Sequence, residues 1–346
     1  MSSSAPWLES VSPTALSILS ATAKAGPIDT APARAGAVFE RDDQVVLEIT
    51  GRDRSRFLHA MLSNDVAAME RAGPGHGIRA ALNSLKGRLV ADLHLYLVDA
   101  EKKTGSMLAV MDREAAEGFV AMLDRYVIAE KVYFEPADLA VLAIVGEGAA
   151  AALTEAGADL PAEGAHTHAA AKIGGVSVRI ARQDLGTGAD FAVLVATGDR
   201  DAVRDALALP TPPPEVFEAL RIEAALPRPG ADVTGLHIVL EGGLKDRSVS
   251  FTKGCYIGQE VICRIDSMGT PARLLVQLDG GATVPEPGTE LFVDGRAVGY
   301  VTSAAHSVQR GGPVLLGYVK KKKNDVGATV HVGAADGPEA TIAAHV

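Results

Sequence analysis

The stretch Phe251-Thr252-Lys253-Gly254-Cys255-Tyr256-Ile257-Gly258-Gln259-Glu260 gathers a lysine, a cysteine between two glycines, an aromatic ring and a terminal carboxylate into ten positions. Glycine lets backbone come close to a ligand or to another chain segment, because no Cβ stands in the way. A thiol beside an ammonium has a lowered pKa and a larger thiolate fraction, the usual condition for a reactive cysteine. On these residues alone, Cys255 reads either as a nucleophile activated by Lys253 or as a buried, inert thiol. The segment also marks a change of pattern. Upstream, helical and strand periodicities alternate; downstream, short strands separated by turns prevail.

Upstream, residues 44–49 alternate like a strand, Gly51 turns, and Asp53 is placed to cap a helix carrying Phe57, Leu58, Met61 and Leu62. Two strand-like runs, 78–83 and 88–98, flank a hairpin connection at 84–87. In the second run Leu89, Ala91, Leu93, Leu95 and Leu97 alternate with Val90, Asp92, His94 and Tyr96, so one face belongs to a core. The other face lines up an acid, an imidazole and a phenol, which is either a solvated sheet face or part of a site. Asp112 caps a helix to about 126, a strand follows at 131–135, and Pro136 marks a boundary. From 139 the order is strand, Ala-rich helix, a Gly- and His-containing link, strands at 176–181 and 191–196, and a helix to about 209. This order fits a ferredoxin-like split unit. The proline-rich residues 211–214 lead into a helix over 215–225.

Downstream, Cys263 lies in 261–265, a strand-like run in which a small thiol packs rather than reacts. Strands predicted at 272–278, 290–293, 298–303, 314–319 and 329–332, separated by Gly, Pro and Asp-Gly turns, fit a small antiparallel barrel.

At 346 residues the chain exceeds what one core serves, so two or three domains are expected. Apolar residues make up 47% but aromatics only 4%, so Ala, Val, Leu and Ile fill the interior. A net charge of −10 argues against a broad footprint on nucleic-acid phosphates. The basic run at 320–323 reads as a solvated strand end. No window approaches the roughly 18 apolar residues of a membrane span, and the first 36 residues read as a frayed terminus without a secretory signal. A cytoplasmic protein is expected. Two cysteines at this spacing give neither a disulfide framework nor a four-ligand metal site, so no resident metal is expected.

The run K-G-C-Y-I-G-Q-E at 253–260 resembles the signature of the YgfZ-type folate-binding proteins, relatives of the glycine-cleavage aminomethyltransferases. Arg221-Ile222-Glu223-Ala224-Ala225-Leu226-Pro227-Arg228-Pro229-Gly230-Ala231-Asp232 resembles the superfamily's R-x-E-A-G-x-P-x-x-G-x-D, with Ala225 in place of Gly. Gly51-Arg52-Asp53-Arg54, Ser63-Asn64-Asp65-Val66, Asn83 and the hairpin at 87–93 resemble the family's opening elements. Asp92 fills the second position of an acidic pair, whose first position is Ala91.

The resemblance implies an α+β fold: a three-domain aminomethyltransferase-like ring with a ferredoxin-like middle domain and a C-terminal small antiparallel β-barrel. The expected boundaries are 37–136 with 212–255 for the folate-binding domain, 137–211 for the middle domain and 256–346 for the barrel. It implies tetrahydrofolate, or a one-carbon derivative, as cofactor. Glu223 would be the pterin carboxylate, with Asp92, Asn83, Tyr256 and Arg264 as further folate-binding positions and Cys255 as the functional thiol beside Lys253. A carboxylate suits a pterin because it accepts a pair of N–H hydrogen bonds. The implied function is support of iron–sulfur cluster assembly or repair, including that of tRNA-modifying enzymes, with iron–sulfur enzymes or cluster carriers as partners and no direct contact with nucleic acid or membrane. Aminomethyl transfer or folate-dependent demethylation is the alternative, and a folate-free scaffold is a third reading.

Overall fold

A computed structural model describes residues 10–269 and 271–346. The chain divides into two compact units, an α/β unit of Ala33–Pro212 with Asp246–Gln259 and a barrel unit of the segments up to Pro32, Pro213–Lys245 and Glu260–Val346.

The α/β unit holds two five-stranded antiparallel sheets. In the first, the order is Gly77–Asn83, Leu89–Leu97, Met107–Asp112, Gln44–Thr50 and Tyr133–Pro136. The leucine face of Leu89–Leu97 packs as its alternation predicts, with Leu93, Leu95 and Leu97 fully buried against Phe57, Leu58 and Phe119 from the helices Arg54–Met61 and Arg113–Asp124. Each such side chain contributes about 1.5–3 kcal/mol on burial. Asp112 caps the second helix by accepting the Glu114 N–H. Asp53 instead turns its carboxylate to the Lys131 N–H and leaves the first helix without a side-chain cap.

The second sheet runs Ala37–Glu40, Leu139–Val145, Asp190–Ala196, Val176–Gln183 and His168–Ile173. Its Val141, Ala181, Ala192 and Leu194 cover Tyr96, Val46 and Val110 of the first sheet. The Tyr96 end of the polar strand face is therefore buried, not solvated. The edge strand His168–Ile173 lies inside what the sequence presents as a link; its burial alternates, but Ala and Lys at 169–172 carry no strand-like hydrophobicity.

In the barrel unit, Arg296–Ser307, Glu290–Val293, Thr329–Val332, Glu339–His345, Arg273–Gly280 and Gly312–Lys320 pair in that order, and the last strand returns to the first, closing six strands. Closure removes both exposed edges. The last of these along the chain, Glu339–His345, is not predicted from the sequence because its Ala-rich pattern is weak.

Two expectations are corrected. Within the first 36 residues, 10–36 are not frayed: Ser12 caps a helix Pro13–Lys24 by accepting the Ala15 N–H, and Ala15 and Leu19 are buried with Ala231. The remainder of that stretch, 1–9, lies outside the described residues. Residues 261–265 are not a strand but part of the helix Gln259–Ser267, whose only fully buried side chain is Ile262. The run Val261-Ile262-Cys263 mimics a strand over three residues, while the positive φ of Gly258 turns the chain into a helix. Among the described residues no helix is long and apolar enough to cross a membrane.

Candidate functional site

The signature segment is fixed by its lysine and its second glycine. Lys253 is buried, and its three N–H donors meet the carbonyls of His59, Leu62 at 2.6 Å and Asn64 at 3.1 Å. These carbonyls belong to the end of the helix Arg54–Met61 and the loop after it, where backbone acceptors lack helical partners and a cation is favoured. The Lys253 ammonium also lies 5.1 Å from the Tyr256 ring centroid, and that ring is buried. Burial pulls the Lys253 pKa down to about 8, against the pull of Asp65. The sequence suggested an ammonium that activates Cys255. The structure commits its donors to three carbonyls instead, so Lys253 anchors the turn.

Gly258 has φ +82°, and a Cβ there would stand 2.5 Å from the Ser84 carbonyl oxygen and 3.3 Å from Gly87 Cα. Only glycine lets the segment lie against the hairpin tip. Gly254, by contrast, faces open space, with only His59 at 4.0 Å. Cys255, between these anchors, is an exposed free thiol. Cys263 is half-buried, and burial together with the Asp266 carboxylate pushes its thiol up.

Asp92 sits on the polar face of Leu89–Leu97, buried, with one carboxylate oxygen accepting Arg79 Nε at 2.8 Å and the other Ser248 Oγ at 2.7 Å. The Ser248 carbonyl in turn accepts Ser63 Oγ at 2.5 Å, and that hydroxyl oxygen accepts the Ala81 N–H at 2.9 Å. Nothing in the sequence marks Arg79 or Ser248 as site residues. Ser63 alone of the three carries a signal, through the S-N-D-V run. Asn83 is fully buried next to Gly258, and neither its amide nitrogen nor its amide oxygen has a partner. An orphaned donor and acceptor on one amide suit a ligand with a complementary amide-like edge, such as a pterin. A cavity of about 560 Å³ in the same unit is lined by Arg79, His94, His166, Arg182, Asp184 and Arg247 among others.

In the barrel unit, the R-x-E motif divides into a structural arginine and a candidate binding acid. Arg221 is buried in a network with Glu218 at 2.7 Å, Asp232 at 2.7 Å and Ser303 at 2.8 Å, and Arg228 closes it onto Glu218 at 2.7 Å. This network ties the helix Pro214–Glu223 to barrel strand Arg296–Ser307 and explains the motif's Arg221 and Asp232. Ala225 occupies φ +54°, the left-handed region that the family's glycine enters without strain. Glu223 is buried; Thr30 Oγ1 donates to one of its oxygens at 2.8 Å and Ser307 Oγ to the other at 2.6 Å. A pterin would share those oxygens with the two hydroxyls. Arg264 is exposed on the last turn of Gln259–Ser267. Among the described residues no group of three or more His, Cys, Asp or Glu side chains could hold a metal ion.

The family model described as the glycine cleavage T-protein C-terminal barrel domain matches residues 272–346. A putative chloroplastic transferase of Arabidopsis thaliana is 26% identical over 294 residues, covering 83% of this chain and 66% of the relative. The tRNA-modifying protein YgfZ of Yersinia pestis is 27% identical over 261 residues, covering 72% of this chain and 73% of that protein. The glycine cleavage system aminomethyltransferase T of Bartonella henselae superimposes with a TM-score of 0.78 over 95% of this chain and 88% of the other, at 21% identity, a likeness of fold. Over most of its length the chain is thus similar to YgfZ, and it has the fold of aminomethyltransferase T with a C-terminal segment that matches the glycine cleavage T-protein barrel domain.

Proposed function

We propose that this chain is a tetrahydrofolate-binding accessory protein that supports iron–sulfur cluster assembly or repair, including that of tRNA-modifying enzymes. The observation that carries this reading is the exposed Cys255 thiol on a turn immobilised from both sides by Lys253 and Gly258. Rigid backbone around an accessible nucleophile favours a group that meets a partner protein or a carried atom. The similarity to a protein named for tRNA modification supports the same direction.

In this reading the candidate folate positions of the α/β unit are Asn83, with its unpartnered amide, and Asp92, held in place by Arg79 and Ser248; in the barrel unit the candidate is the Glu223 carboxylate, an acceptor for pterin N–H donors. Tetrahydrofolate, when bound, supplies a carrier nitrogen for a one-carbon unit. Lys253 and Tyr256 hold the turn, and the Cys255 thiolate is the group that would ligate iron, take sulfane sulfur from a persulfide donor with release of that donor's thiolate, or take the one-carbon unit with release of the tetrahydrofolate nitrogen.

The aminomethyltransferase T fold favours group transfer as a second reading. Against it, Ala91 stands at the first position of the acidic pair, and Asp92 is already engaged by a guanidinium and a hydroxyl. The test is complementation of a cell that lacks its own YgfZ-type gene. Cys255→Ser is expected to fold and bind folate yet fail to restore activity of iron–sulfur enzymes that modify tRNA. Full restoration by Cys255→Ser would remove the thiol from the function.

A further inference from the structure

The 560 Å³ cavity of the α/β unit holds two arginines whose acidic partners are replaceable. Arg182 is fixed from behind: its Nε donates to the carbonyls of Pro161 at 3.3 Å and Ala162 at 3.1 Å, and its guanidinium lies 5.1 Å from the Phe191 ring centroid. Its remaining bond, from Nη2 at 2.6 Å, goes to Glu163, whose side chain is 88% exposed. Arg247 Nη1 donates at 3.1 Å to Asp184, whose side chain is 57% exposed, while the two arginines are only 22% and 33% exposed. In each pair a largely shielded cation meets a more solvent-exposed carboxylate. Such pairs are worth little, so a carboxylate arriving on a ligand exchanges for the protein's own at small cost.

The other lining groups allow the exchange. Asp190 is closed upon the Leu185 and Thr187 N–H groups at 2.9 Å each, and Arg79 upon Asp92. His94 and His166, with ring centroids 5.2 Å apart, are kept neutral by burial and by Arg79, and the Nδ1 of each is enclosed without a partner. They add hydrogen-bonding capacity without charge. Asp190 and Asp246 are the remaining lining acids, and they oppose an anion.

We propose that this cavity is an oligocarboxylate site in which Glu163 and Asp184 stand in for two carboxylates of the ligand, and that the guanidinium groups of Arg182, anchored from behind, and Arg247 receive them. Resting on the folate reading, the natural source is the glutamate tail of a polyglutamylated folate. The probe for the site itself is free tri-γ-glutamate, titrated into the full chain at low ionic strength while the Nε–H resonances of Arg182 and Arg247 are followed by NMR. Saturable shifts of both are expected. The double variant Arg182→Gln/Arg247→Gln should weaken binding at least about fivefold, in line with the loss of exposed charge pairs. Glu163→Gln/Asp184→Asn should tighten it, an outcome that damage to the fold cannot imitate. Absence of saturable shifts, or unchanged affinity in Glu163→Gln/Asp184→Asn, would overturn the proposal. A parallel titration with 5-formyltetrahydrofolate carrying one or three glutamates separates the two readings. If the triglutamyl folate binds no more tightly than free tri-γ-glutamate and the monoglutamyl folate does not bind, the oligocarboxylate site stands and the folate function falls.

Discussion

Replacing Lys253 with methionine keeps the aliphatic stem and removes the ammonium, leaving the carbonyls of His59, Leu62 and Asn64 without their shared donor. An orphaned buried acceptor costs about 1–3 kcal/mol. Part of that is returned because an ammonium no longer has to be desolvated, so a net loss of about 2–4 kcal/mol is expected for three carbonyls. The pH dependence supplies an independent signature. The folded pKa of about 8 lies below the unfolded value, which is about 10.4. Between those values the unfolded chain binds more protons than the folded one, so this group makes stability rise with pH. The full gap of about 2.4 units corresponds to about 3 kcal/mol at 1.36 kcal/mol per unit. Since the ammonium is partly screened by water, about 1–2 kcal/mol is the realistic gain. Urea unfolding of wild type and Lys253→Met at pH 7 and at pH 10 measures both quantities, and comparing the two chains cancels every other titrating group. Lys253→Met should be less stable at pH 7 and should lack the wild-type gain. Equal stability at pH 7 with an identical pH slope would refute the burial of this ammonium among carbonyls.

Two further outcomes follow from the same geometry. Iodoacetamide should label exposed Cys255 well before Cys263, whose thiol is half-buried and pushed up by burial and Asp266; peptide mapping that finds Cys263 labelled first would reverse the assignment. Ala225→Gly should raise the thermal midpoint, because the left-handed conformation costs alanine about 1–2 kcal/mol and the extra freedom of unfolded glycine returns only part of that.

The core of the α/β unit was legible because Leu89–Leu97 writes its two faces in period two, and the barrel because its strands are punctuated by Gly and Asp-Gly turns. Strands His168–Ile173 and Glu339–His345 were not, since alanine carries little of either periodicity and pairing with neighbours decides its conformation. The signature residues were visible as a cluster, but the work of Lys253 was not. Its partners are backbone carbonyls nearly two hundred positions away, and backbone carbonyls leave no mark in a sequence. The same holds for Ser248, which the chain delivers to Asp92 from 156 positions downstream. The motif acid Glu223 and motif arginine Arg221 read as neighbours of one kind, yet folding gives one a network of charges and the other two hydroxyls.

The central claim is that this chain binds reduced folate, and anaerobic calorimetric titration of tetrahydrofolate into the full chain tests it most directly. Saturable one-to-one binding is expected, weakened in Glu223→Ala by about 1–3 kcal/mol, the cost of removing a partner from a buried polar group. No saturable binding by the wild type would contradict the folate function, and an unchanged affinity in Glu223→Ala would remove that carboxylate from the site.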